Sequence, residues 1–125
     1  DSPSLRLMWG SLLRQAGRLD EALVELHRSI ELRPNEAAAY VEAAHVHVAR
    51  GELERGIEYL HRAVEAEPDN PGALIFLAFH AISTGNQAEA DRWMYRVSQQ
   101  PRVETEPATR LIAAYRAKFG HDFGK

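Results

Sequence analysis

Six histidines supply the imidazole nitrogens of a chain that has no cysteine. Metal binding is therefore the first chemistry to weigh. His45 and His47 lie two residues apart, so on a helix they point to different faces and cannot chelate one ion together. His27 and His61 are separated by 34 residues and hold corresponding places, but no carboxylate stands in a ligating position beside them. Zinc-type ligand spacing is absent, and these two read as exposed polar residues. Gly51 and Gly56 have the glycine spacing of a phosphate loop. However, Ile57-Glu58 follows where Lys and Ser/Thr are required, and no strand pattern precedes. There is no thiolate nucleophile, disulfide framework, zincin motif or nucleophile elbow. The chain is expected to be neither an enzyme nor dependent on a cofactor or metal.

The organising feature lies in the helices that would carry these residues. Gly17, Gly51 and Gly85 recur 34 residues apart, as do Pro34 and Pro68, with the next proline slipped by one to Pro101. Between these marks, apolar residues recur at helical spacing. The first helix is expected from about Ser4 to Ala16 on Leu5, Met8, Trp9, Leu12 and Leu13. Gly17 ends it, and a second helix follows, with Asp20 near its start and Leu23, Leu26 and Ile30 to Leu32 on its apolar face. Asn35 is a candidate cap for a third helix, about Glu36 to Arg50. A fourth runs from about Leu53 to Glu67. After Asp69-Asn70-Pro71 a fifth reaches Thr84, and a sixth spans about Gln87 to Gln100. Thr105 and Pro107 open a seventh that ends near Phe119, and His121 to Lys125 reads as a frayed tail. Helices of about 12–15 residues are marginal alone in water, so each hairpin must bury its apolar face on the next.

Length and composition set the remaining bounds. At 125 residues one domain is expected, 1–125, with repeats at about 3–36, 37–70 and 71–104, a capping helix at about 105–119 and a tail at 120–125. The net charge of −3 gives no reason to expect nucleic acid or an anionic membrane as partner. No stretch is apolar for long enough to cross a bilayer, and no basic segment followed by an apolar run opens the chain. A soluble protein of the cytoplasm or the periplasm is the expectation. The chain begins at Asp1, which reads as a removed leader or as a piece of a longer protein. Arg28, Arg62 and Arg96 recur at the period. Glu31, Glu58 and Glu65 stand three or four residues from the first two and are expected to pair with them on a solvated face.

The period and the residues at its fixed places resemble the tetratricopeptide repeat, whose pattern has large residues, a small residue and a tyrosine on the first helix, then Ala, Phe and Pro on the second. The first unit matches with Gly10, Ala22 and Pro34, with Leu26 in the Phe place. The second matches with Tyr40, Ala44, Leu60, Ala63 and Pro68, and Gly56 stands for the small alanine. The third matches with Leu74, Leu77, Ala78, Ala90 and Met94. The turn Gly17-Arg18-Leu19-Asp20-Glu21-Ala22 is very like that of the family. Arg6 departs from it in an aromatic place, and His47 and Ala81 depart in a tyrosine place. The similarity runs from about Pro3 to Arg102, and the last helix resembles the family's C-terminal solvating helix.

The resemblance implies an all-α solenoid of three antiparallel helix pairs in a right-handed superhelix, plus the seventh helix, with the first helix of each pair lining a concave groove. Leu7, Ser11 and Arg14 would line it from the first pair. Val41, His45 and Val48 would do so from the second, and Ile75, Phe79 and Ile82 from the third. This mostly apolar strip implies a protein or peptide partner, an extended peptide or an amphipathic helix, and an adaptor or chaperone-like role. His45 would either make binding pH-sensitive or serve as a polar contact. The family's lysine–asparagine carboxylate clamp has no counterpart, because Leu7, Ser11, Glu42, Gly72 and Phe76 hold the matching places. Its asparagine ladder is likewise replaced, by Met8, Glu42 and Phe76. His80 is expected to pack between pairs. At the places that face a preceding pair, the interior units carry Ala39 and Val46, then Ala73 and His80, whereas the first unit carries Leu5 and Leu12. An end helix should be polar there. Either an upstream helix belongs on this face or the array self-associates through Leu5, Met8 and Leu12 as an assembly protein.

Overall fold

The computed structural model describes residues 2–101 and 105–124. The third repeat's expected end at 104 and the tail's last residue fall outside them. Among the described residues all regular structure is helical: α1 (Pro3–Gln15), α2 (Leu19–Leu32), α3 (Ala37–Ala49), α4 (Leu53–Ala66), α5 (Pro71–Thr84), α6 (Gln87–Ser98) and α7 (Thr105–Phe119). They group into two compact units, Asp1–Asn70 and Pro71–Lys125. No helix among the described residues is long and apolar enough to cross a membrane.

One turn, used three times, produces the hairpins. Gly17, Gly51 and Gly85 have φ of +81°, +81° and +77°, a left-handed conformation that a Cβ disfavours. At the first copy the Gly17 N–H donates to the Arg14 carbonyl at 2.9 Å and the Arg18 N–H to the Leu13 carbonyl at 2.9 Å. The same pair of bonds recurs from Gly51 and Glu52 to Val48 and His47, and from Gly85 and Asn86 to Ile82 and Ala81. These bonds satisfy carbonyls that a helix end leaves free.

Helix starts are capped more variously than expected. Ser2 caps α1 by accepting from Leu5 N–H, and Asn86 caps α6 by accepting from Glu89 N–H. Asn35 does not cap α3. The N-cap there is Glu36, and the first free N–H, that of Ala37, is taken by the Glu67 carboxylate at 3.0 Å from the far end of α4. Asp20 lies in the first turn of α2 as expected, and it also pairs with Arg50 at 3.2 Å.

In the first unit α1 packs on α2 and α3 on α4; α2 then packs on α3, and α1 touches α3. Leu13, Ala22, Leu23, Leu26, Ala43 and Val46 form the buried cluster, flanked by Leu7, Leu19 and Tyr59. Close approach within each hairpin requires a small residue at the crossing. A Cβ on Gly10 would meet Leu26 Cδ2 at 2.7 Å, and one on Gly56 would meet Val48 Cγ2 at 2.8 Å. In the second unit α5 packs on α6, and α7 packs on α5.

The end of the chain corrects the expectation of a frayed tail. Tyr115, 1% exposed, donates its hydroxyl to Asp91 of α6 and accepts from Gln87 Nε2 at 3.2 Å. After Gly120 the chain turns back. His121 and Phe123 stand edge-on to the Tyr115 ring, and Gln87 reaches His121 Nε2 at 3.1 Å. Phe123 also lines an apolar cleft of about 280 Å³ with Met94, Val97, Leu111 and Ile112.

Candidate functional site

The candidate site residues hold corresponding places on the first helices of the three pairs, two of which lie in the first unit and one in the second. In the first unit, Leu7, Ser11 and Arg14 of α1 and Val41, His45 and Val48 of α3 are all half-buried. Each is thus packed along one edge and open along another, as the rim of a binding surface requires. Val48 has a second duty, because its methyl fills the space left by Gly56.

The character of this face departs from the mostly apolar strip expected. Arg14 Nε donates to Glu42 Oε2 at 2.8 Å, joining α1 to α3, with the two side chains only 28% and 22% exposed. A pair this sheltered is screened less than a surface pair and holds the two first helices together. His45 is coupled to it. Burial lowers the imidazole's proton affinity, Arg14 lowers it further, and Glu42 opposes. At neutral pH His45 is therefore an uncharged polar group among Val41, Val48 and an internally neutralised ion pair.

In the second unit, Ile75 and Phe79 of α5 are half-buried, while Ile82 is 4% exposed and belongs to the core. Ile82 thus offers a ligand almost no surface. Arg110 of α7 lies over the Phe79 ring at 5.8 Å. A neighbouring segment of the chain therefore covers part of the third-repeat contribution, which rests on Ile75 and the free part of Phe79.

The face expected to meet a preceding pair is open. Leu5, Met8, Trp9 and Leu12 are 64%, 59%, 51% and 49% exposed. Trp9 belongs with the three residues singled out from sequence, since its spacing places it on the same stripe of α1.

The histidines and arginines occupy places that spacing alone did not reveal. Among the described residues no group of three His, Cys, Asp or Glu side chains is arranged to hold a metal ion. His47, only 3% exposed, stacks on Tyr59 with ring centroids 5.0 Å apart and bonds Glu52 Oε1 through Nδ1 at 3.0 Å. His27 is hydrogen-bonded to the Tyr59 hydroxyl at 3.0 Å rather than simply solvated. The outer arginines use aromatic faces: Arg62 lies 5.3 Å from the Tyr59 centroid and Arg96 5.0 Å from that of Trp93. The expected pairs of Arg28 and Arg62 with Glu31, Glu58 and Glu65 are not formed among the described residues. Tyr59 follows Gly56 by three and faces α3, so its ring lies within reach of both neighbours. An i, i+3 pairing with Arg62 was the signal available in the sequence.

Two family models described as tetratricopeptide repeat match the sequence, over residues 7–71 and 47–115. No curated protein matches it. Among solved structures, the tetratricopeptide domain of P58(IPK) superposes with a TM-score of 0.85 at 19% identity over 94% of this chain, which spans 33% of that one. The Yersinia enterocolitica type III secretion chaperone SycD, solved with a peptide of the translocator YopD, superposes with a TM-score of 0.78 at 16% identity, covering 94% of this chain and 93% of that one. Likeness at such identities establishes the fold, an all-α solenoid built from helix hairpins. With the repeated glycine turn, the small residues at the hairpin crossings and family matches that together run from 7 to 115, the chain belongs to the tetratricopeptide repeat family.

Proposed function

We propose that the chain is a non-catalytic protein-interaction module that binds an extended peptide or an amphipathic helix of a partner on the face formed by its first helices. The observation that carries this reading is that residues at repeat-equivalent places are half-buried in each unit: Leu7, Val41 and His45 in the first, Ile75 and Phe79 in the second. Side chains in that state lose little conformational freedom on binding and still offer apolar area to a ligand. The SycD structure contains a peptide of another protein, which supports a peptide as the ligand class. The Arg14–Glu42 pair neutralises itself, so apolar anchors should dominate affinity, with His45 as a polar contact. Nucleic acid and membrane insertion are not part of this reading, and neither is a cofactor.

The test begins with an array of extended and amphipathic peptides carrying two or three spaced apolar anchors. The tightest binder is then titrated against wild type, Phe79→Asp and Val41→Asp. Each variant should weaken binding at least about tenfold, about 1.4 kcal/mol, since it removes an apolar anchor and sets in its place a charge that an apolar ligand group would have to desolvate. Unchanged affinity in both variants, with helicity intact by circular dichroism, would eliminate this face as the site.

A second reading has its own observation. The four large apolar side chains exposed on α1 form a stripe that the interior repeats replace with the buried Ala39 and Val46. A contiguous patch of this kind on a soluble protein marks an interface. An assembly protein would self-associate here, and Leu5→Glu with Leu12→Glu should convert a dimer to a monomer in sedimentation equilibrium. A wild-type chain that sediments as a monomer at tens of micromolar would rule self-association out.

A further inference from the structure

Three rings from three helices of the first unit lie in one row. His27 belongs to α2, Tyr59 to α4 and His47 to α3. Tyr59 stacks with both histidines, at centroid separations of 6.2 and 5.0 Å and interplanar angles of 20° and 21°. The row therefore joins the first hairpin to the second. At one end of the row His47 Nδ1 is hydrogen-bonded to Glu52 Oε1 at 3.0 Å. Nε2 of the same ring is buried and has no hydrogen-bond partner among the described residues. Unsatisfied buried groups are uncommon in folded proteins and call for a reason.

We propose that the His27–Tyr59–His47 row is an acid-sensitive clasp between the first two hairpins, closed while the His27 imidazole is neutral and loosened when it takes up a proton. A proton on His27 would set a cation close to His47 and to Arg62, whose guanidinium already lies over the Tyr59 ring. The groups around the row are few. From α2, Glu31 favours the charged form of His27. From α4, Arg62 opposes it. At the α3–α4 turn, Glu52 faces His47 but is shared with Arg50 Nε at 3.2 Å, and Arg50 also reaches Asp20 of α2. The carboxylates that could compensate are thus partly engaged or outweighed. In agreement, partial burial holds His27 below the usual histidine range, His47 lowers it further, Glu31 raises it and Arg62 lowers it again. A histidine that binds its proton less readily when folded makes stability rise with pH. The contribution is present above the unfolded value of about 6.5 and is lost as pH falls toward the lower folded value.

The test is urea unfolding of the full chain, followed by amide signals of α1 to α4, at about pH 7.5 and 5.5. The wild-type midpoint should fall on acidification. In His27→Gln with His47→Gln, where the amides can still bond Tyr59 and Glu52, the fall should shrink by at least half. An equal fall in wild type and the double variant overturns the clasp. Should the double variant not fold, imidazole nitrogen spectra of the wild type decide the matter. His27 must take up its proton at lower pH in the folded chain than in urea, and an equal or higher midpoint when folded overturns the proposal.

Discussion

Tyr115→Ala is expected to destabilise the second unit by about 3–5 kcal/mol, the range for removing a large buried aromatic side chain. The ring is 1% exposed and meets Phe119 at 4.7 Å, as well as His121 and Phe123 of the returning tail. Its hydroxyl is bonded to both Asp91 and Gln87, so truncation also leaves a half-buried carboxylate without its donor. Tyr115→Phe keeps the ring and loses only the hydroxyl, which should cost about 1.5–3 kcal/mol for a bond to a charged acceptor. Unfolding followed by Trp93 fluorescence, in a Trp9→Phe background, reads the unit directly, because Trp93 is buried on α6. A Tyr115→Ala loss below about 1 kcal/mol would mean that α7 and the tail are not held through this residue. Because α7 packs on α5 and Arg110 covers part of Phe79, the same variant should leave Phe79 more accessible to a ligand.

Leu26→Ala is expected to cost about 2–5 kcal/mol, and Gly10→Ala should partly reverse that loss although it is harmful alone. Leu26 is fully buried at the α1–α2 crossing, against the bare face of Gly10. In the wild type a new methyl at position 10 would come within 2.7 Å of Leu26, an overpacking that costs about 1–3 kcal/mol. The gain in helix propensity, about 1 kcal/mol, offsets only part of it. With Leu26 trimmed, the collision is gone and the methyl enters the void. A double-mutant cycle by urea unfolding should therefore give a favourable coupling of about 0.5–3 kcal/mol. Strict additivity would show that the two sites do not share one packing contact.

How much of this was legible beforehand follows from the kind of interaction involved. The hairpins were readable because the glycine turn and the proline stops act locally, on the two or three residues beside them. Their 34-residue recurrence then implied one unit used again. Gly10 and Gly56 were readable as the small residues of the family's pattern, and the structure shows the close approach that needs them. Asn35 was misjudged as a cap because a residue distant in sequence, Glu67, supplies the oxygen that α3 needs. The tail was misjudged for a related reason. His121 and Phe123 have no helical spacing to follow, and only the nearness of α6 and α7 gives them the Tyr115 ring to pack against.

The candidate site divides in the same way. Period and helical phase placed Leu7, Val41, Ile75, His45 and Phe79 at equivalent positions, and no packing detail was needed for that. Whether such a position is open depends on what the rest of the chain lays over it. Ile82 shares the phase of Arg14 and Val48 yet is buried, Phe79 is partly covered by Arg110, and Glu42 swings to Arg14 to put charge where an apolar strip was expected. The repeat and its helical faces are thus properties of the sequence alone, since they arise from interactions between neighbours along the chain. The exposure of each face, its ion pairs and the state of its histidines are decided by tertiary structure, because burial and electrostatic coupling depend on distances between residues that the sequence keeps far apart.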